Sequence, residues 1–215
     1  MSTNLRTLLS GEDPVHIARQ LIGVELYTHI DGQETAGRIT ETEAYWAPDD
    51  RASHAYGHRR TPRTEPFYAR AGTSYVYLCY GIHELFNVIT GPEGVPHAVL
   101  IRAIEPTLGV PAMLARRHME SLKPQLSRGP GVLSLALGIT RTHNMVNLLD
   151  AESPVQLRAG AGPCVMRGGG PSCKPGDVMC TPRIGIDGAG PEWAAKPWRF
   201  YRSGTQYVSR LNAFT

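Results

Sequence analysis

The sequence predicts a single domain of the α+β class, on three observations. Its 215 residues, 41% of them hydrophobic, suffice for one core, and neither a linker nor an internal repeat divides them, so residues 1–215 read as one unit. Two alternating stretches flank Asp31-Gly32, a tight-turn signature, so the sheet begins as an antiparallel pair. Helical periodicity falls before Gly23 and again after Pro106, with strand patterns between.

Taken in order, Asp13 is placed to cap a helix with Pro14 at its first position; Val15, Ala18, Leu21 and Ile22 make its apolar stripe and Gly23 ends it. Val24, Leu26, Thr28 and Ile30 then alternate with Glu25, Tyr27 and His29, where His29 reads as a surface strand residue. After the turn comes GRITETEAY, the central strand. Alternation puts Ile39, Glu41, Glu43 and Tyr45 on one face and Arg38, Thr40, Thr42 and Ala44 on the other. Paired carboxylates usually mark a solvated face. Ile39 and Tyr45 on either side point instead to a partly apolar cleft, where a carboxylate becomes a usable base.

From Trp46 to Gly72 the periodicity stops, and a loop of that length in a compact domain is commonly functional. It carries Arg51, His54, His58, Arg59, Arg60, Arg63 and Arg70 against Asp49, Asp50 and Glu65, so phosphate is a natural partner. The next strand, TSYVYLCYG, holds Tyr75, Tyr77 and Tyr80 before a turn at Gly81. Such a stripe can simply pack across strands. Beside a cationic loop, however, flat rings are suited to stacking on bases.

Leu85 to Thr90 and His97 to Ile104 read as strands joined by GPEGVP. Leu100, Arg102 and Ile104 share a face, so Arg102 either needs an anion, Glu41 or Glu43, or sits at an edge with its guanidinium in water. Beyond Pro106 a helix starts near Pro111, and a second follows RGPG and ends at Gly138. Val155 to Leu157 and Pro182 to Ile186 are expected strands, separated by a Gly/Pro-rich surface loop holding Cys164 and Cys173, and KPWRFYRSG forms the last strand.

Composition narrows the function classes. No apolar run approaches the roughly 20 residues of a membrane span, and the N-terminal residues have no signal-peptide anatomy, so a soluble, cytoplasmic protein without a membrane partner is expected. Cys79, Cys164, Cys173 and Cys180 lack C-x-x-C spacing; the expectation is free thiols and no metal or cofactor, although three of them lie near Asp177. Net charge is +3, mildly basic.

The motifs ETEAY, SHAYGHRRTPR, GTSYVYLCYGIHELFN, VLIRAIEP, RGPGVL, PRIGI and KPWRFY, in that order, resemble the alkyladenine (3-methyladenine, methylpurine) DNA glycosylase family over about residues 10 to 205. The resemblance implies a curved, mostly antiparallel, open-barrel-like sheet flanked by helices. It also implies a monomer that binds duplex DNA through the minor groove, flips a damaged purine and hydrolyses its N-glycosidic bond without a metal. Glu43 then falls on the general base and Arg102 on the residue that helps hold the attacking water. Tyr45, Tyr77 and His54 match the rings around the flipped base, and Asn87 the side chain that crowds out guanine. Tyr80 matches the side chain that fills the gap left in the helix, with Arg59, Arg60, Thr61, Arg63, Gly81, Ile82 and His83 along the DNA backbone or groove. The chain departs from the family pattern at Thr64, Phe67 and Tyr68 and in the cysteine-bearing insert, which bears on fine DNA contacts.

Two other classes fit parts of the pattern. Residues two apart in a strand are about 6.8 Å apart, near the separation an inverting glycoside hydrolase uses, so Glu41 and Glu43 could serve as its acid and base. A non-catalytic nucleic-acid-binding module would use the arginines and tyrosines but leave the carboxylates idle.

Overall fold

The computed structural model describes residues 5–159 and 177–209. A short helix α1 (Leu5–Leu9) precedes α2 (Pro14–Gln20), where the Asp13 carboxylate accepts from the Val15 and His16 N–H groups and Pro14 fills the first turn. That satisfies backbone donors no helical carbonyl can reach. Strands β1 (Glu25–Ile30) and β2 (Gln33–Trp46) follow, joined through Asp31 and Gly32 at φ 55 and 70, the doubly left-handed pair a two-residue hairpin demands. After the long loop come β3 (Ser74–Cys79), β4 (His83–Thr90) and β5 (His97–Leu108), then helices α3 (Val110–Arg116) and α4 (Pro130–Leu137). Last are β6 (Val155–Arg158), β7 (Val178–Thr181), the short helix α5 (Pro191–Ala194) and β8 (Arg199–Arg202).

The eight strands form one antiparallel sheet, not closed into a barrel, in the order β3-β4-β5-β2-β1-β6, with β8 between β2 and β7. This is the α+β arrangement expected from the sequence. The 14-residue β2 is its axis. One edge runs along β5; the other pairs β1 up to Arg38 and then β8 from Glu41. One face packs α2 and α4 over the main core of Ile17, Leu21, Ile39, Ala44, Phe86, Ile101, Ile104 and Leu133, and Thr42 on that side donates to the Ala18 carbonyl. The opposite face carries the site.

Several expectations need correcting. Ile39 and Ile104 do not join the acidic row. Register shifts around Glu41 leave Thr40 as an extra residue on β2 and Arg102 as an extra residue on β5, and strict alternation breaks there. Ile39 and Ile104 therefore pair in the main core, while Glu41, Glu43 and Arg102 turn to the other face. β5 continues through Pro106 to Leu108 rather than stopping at Ile104, and the expected strand at 182–186 is irregular, the pairing with β8 being made by Val178–Thr181. Tyr80 lies just beyond its strand, in the turn. The Gly/Pro-rich insert with Cys164 and Cys173 lies outside the described residues; Cys79 and Cys180 are free. Among the described residues no helix is long and apolar enough to cross a membrane, and no group of three His, Cys, Asp or Glu could hold a metal.

Candidate active site

The sheet register builds the site. Glu43 pairs with Leu100, Leu100 with Asn87 and Asn87 with Tyr75, so one row crosses β2, β5, β4 and β3 on one face, with Tyr45 and Tyr77 each two residues along. Glu41 and Glu43 are both fully buried, which removes the solvated-face reading. Arg102 is also buried and bridges them, its Nε 3.1 Å from Glu41 Oε1 and its Nη1 3.2 Å from Glu43 Oε2. Both candidate anions are its partners. The edge reading fails because the guanidinium is not in water but buried against the two carboxylates.

The two carboxylates have different surroundings. Arg199 Nε donates to Glu41 Oε1 across 2.6 Å, and the Ser209 N–H to Oε2 across 2.6 Å. Burial raises the Glu41 pKa, but Arg102, Arg199 and that N–H outweigh it and hold the carboxyl below its ordinary value. Glu41 stays ionised and cannot be the proton donor a two-carboxylate sugar hydrolase needs. Glu43 accepts from the Ile184 N–H at 2.8 Å and from the Tyr45 hydroxyl at 3.0 Å, besides its Arg102 contact. A carboxylate offers about four lone-pair positions, so roughly one remains for another donor.

The aromatic wall stands at the β3 end of the row. Tyr75 and Tyr77 are stacked at 5.3 Å and 22°, and His54 meets Tyr77 edge-on at 4.7 Å. His54 Nδ1 lies 3.0 Å from the Tyr75 hydroxyl, with an Arg63 nitrogen 3.5 Å from Nε2. Arg63 can only donate, so this contact favours the tautomer in which Nε2 accepts and Nδ1 carries the proton. Burial first, then Arg63 and Arg59, lowers the His54 pKa to about 4, so the ring is neutral at pH 7. Burial, with Glu43 and Tyr77 adding to it, raises the Tyr45 phenol well above its ordinary value, so it remains a hydrogen-bond donor. Asn87 is buried and donates through Nδ2 to the Tyr75 carbonyl at 3.1 Å, which fixes its amide against the wall.

The surroundings sort the other expected contacts. Arg59, Arg60 and Arg63 are exposed and Thr61 half-buried. Arg60 is held bidentate by Glu65 at 2.9 and 2.6 Å, so its charge is partly compensated, while Arg63 lies 5.3 Å over Tyr77. Phe67 and Tyr68 are buried; Phe67 packs 4.8 Å from Tyr75, and Tyr68 lies 4.6 Å under the Arg60 guanidinium and donates to the Arg59 carbonyl. At the β3–β4 tip, Tyr80 and Gly81 both have positive φ, 50 and 74, and the Ile82 N–H closes the turn on the Cys79 carbonyl. Gly81 adopts this freely; for Tyr80 it costs about 1 to 2 kcal/mol. Tyr80 is 86% and Ile82 72% exposed, with His83 exposed beside them.

Sequence reasoning missed Asp50, Arg183, Ile184 and Arg199. Arg183 and Asp50 form a fully buried bidentate pair at 2.5 and 2.9 Å across 133 residues of chain. No local periodicity reports a pairing at that range; the only hint was a charged Arg183 set before the apolar Ile184 and Ile186.

Buried carboxylates and arginines at the foot of an aromatic wall, beside a cationic loop, define an enzyme that works on nucleic acid. The particular kind follows from its relatives: the family model described as methylpurine-DNA glycosylase (MPG) matches residues 9–206, and the chain belongs to that family of DNA glycosylases. It is 43% identical over 192 residues, 88% of this chain and 91% of the other, to a protein of Chlamydia felis named "Putative 3-methyladenine DNA glycosylase". Proteins of the same name from Bacillus cereus and Desulfitobacterium hafniense are each 40% identical, covering 92% and 93% of this chain and 95% of each relative. A module that only binds nucleic acid is thereby set aside.

Proposed function

We propose that this chain, acting as a monomer, excises alkylated or deaminated purines of the 3-methyladenine, 7-methylguanine and hypoxanthine type from duplex DNA, flipping the nucleotide and leaving an abasic site. The observation that carries this reading is Glu43: a buried carboxylate held by three donors, with about one lone-pair position left, at the foot of a wall of rings. In this reading a water occupies that position. As the C1′–N bond breaks and the purine leaves with the bonding pair, the sugar becomes oxocarbenium-like; the water oxygen adds to C1′ and its proton passes to Glu43. Arg102 helps hold the water and shares its charge between the two acids.

The other parts have matching tasks. Extrusion costs a few kcal/mol of stacking and pairing, which the exposed Tyr80 offsets by filling the gap. The base enters between Tyr45 on one side and Tyr77 with His54 on the other, and Asn87 discriminates against guanine. A purine made cationic by alkylation is a good leaving group and gains about 0.5 to 2 kcal/mol against electron-rich rings. Neutral hypoxanthine must first be protonated. Arg59, Arg60, Thr61 and Arg63, with Gly81, Ile82 and His83, flank the DNA backbone and groove. The test is incubation with a duplex holding one hypoxanthine or one methylated purine, followed by alkaline cleavage. Strand breaks at the lesion with the wild-type chain, lost in Glu43→Gln, are expected; no breaks at any such lesion would end the proposal.

A further inference from the structure

Taking Glu43 as the base, as above, we infer that Arg183 is a positioning residue for it: the buried Arg183–Asp50 pair holds residues 183–184 so that the Ile184 N–H meets Glu43 Oε1. The side chains of Arg183 and Asp50 are both fully buried, although neither reaches the row of Glu43, Arg102 and Asn87 directly. Arg183 Nη1 donates to Asp50 Oδ2 at 2.5 Å and to the Ala44 carbonyl at 2.8 Å; Nη2 donates to Asp50 Oδ1 at 2.9 Å and the Trp193 carbonyl at 3.4 Å. Its guanidinium carbon lies 4.8 Å from the centre of the Tyr45 ring and 5.1 Å from that of Trp198. One planar cation thus joins β2, the loop after it, the segment before α5 and the Tyr45 ring.

The consequence falls on the next residue. Residues 182–186 have no strand pairing to set their backbone, yet the Ile184 N–H is 2.8 Å from Glu43 Oε1. Arg183 fixes the residue directly before Ile184, and Arg199, which also grips Glu41, donates to the Thr181 hydroxyl at 3.0 Å two residues further back. The irregular segment is thus tied at Thr181 and at Arg183, through Arg199 and Asp50, to the strand that carries the acids and the loop after it. Tyr45, resting on Arg183, supplies the second Glu43 donor. Displacement of a catalytic group by about 1 Å can cost 10²-fold in rate. A lysine cannot replace the paired donors, because an ammonium has no planar fork to match a carboxylate.

The test compares Arg183→Lys, Asp50→Asn, their double variant and Glu43→Gln, in single turnover with enzyme in saturating excess over hypoxanthine-containing duplex. The maximal rate under these conditions does not respond to a fraction of unfolded enzyme, so a merely structural role leaves it unmoved. Asp50→Asn keeps one oxygen, which still accepts from the Ala52 N–H at 3.0 Å, and gives up only the longer Trp46 contact at 3.3 Å, so it holds most of the loop if Arg183→Lys fails to fold. Expected are maximal rates about 10- to 100-fold below wild type in both single variants, half-saturating enzyme concentrations within about threefold once corrected for folded fraction, and a double variant no slower than the poorer single one. Wild-type maximal rates in the folded single variants, or losses that multiply in the double variant, would overturn the inference. Wild-type excision by Glu43→Gln would instead sink the assignment of the base, whatever Arg183 does.

Discussion

Arg102 is shared by Glu41 and Glu43, 3.1 Å from the first through Nε and 3.2 Å from the second through Nη1, so one guanidinium ties together two carboxylates with different tasks. Glu41 belongs to a closed cluster with Arg199 and the Ser209 N–H, whereas Glu43 keeps room for one more donor.

That difference separates two substitutions. Glu43→Gln is expected to lower single-turnover excision by about 10² to 10⁴-fold while lesion-DNA binding persists. Glu41→Gln leaves two buried arginines short of an anion and is expected to destabilise the fold by about 3 to 5 kcal/mol, with a far smaller loss of rate per folded molecule. Urea melts beside single-turnover rates check both. Collapse of the rate in Glu41→Gln alone, with the fold intact, would reverse the assignment.

At the hairpin tip, Tyr80→Ala removes an exposed ring from a strained turn and should move stability by no more than about 0.5 kcal/mol. Extrusion, read by a fluorescent base analogue beside the lesion, is expected to disappear. A loss of several kcal/mol in the melt would show that the ring packs rather than wedges.

Salt dependence distinguishes the loop arginines. If Arg59 meets one phosphate, Arg59→Ala should flatten the log–log salt slope of DNA binding by about 0.9. Arg60→Ala should change it less, because Glu65 already holds that guanidinium. Unchanged slopes in both would remove them from the DNA surface.

His54 makes stability depend on pH. Its folded pKa of about 4 lies below the ordinary value of 6.5, so between these values the unfolded chain binds the proton and the folded chain does not. Stability therefore falls as pH drops from 6.5 towards 4, by up to about 3 kcal/mol from this residue. Melts of wild type and His54→Gln at pH 7.5, 5.5 and 4.5 should show a steeper acid loss in wild type; parallel curves would mean that His54 is protonated as readily folded as unfolded.

The sequence by itself determined the parts that rest on local chemistry. Asp13-Pro14 starts a helix because a carboxylate caps free N–H groups; Asp31-Gly32 makes a hairpin because both residues tolerate positive φ; and a two-residue period turns Glu43 and Tyr45 to one side. The motif order carried the family. Only the tertiary structure decided the rest. Two bulges broke the alternation that would have put Ile39 and Ile104 among the acids, and a bulge depends on the partner strand, which no single stretch specifies. Nor does Glu41 differ from Glu43 along the strand. They differ because Arg199 and Ser209 reach the first, and Ile184 and Tyr45 the second; apart from Tyr45, those donors come from residues more than a hundred positions away, brought in by folding.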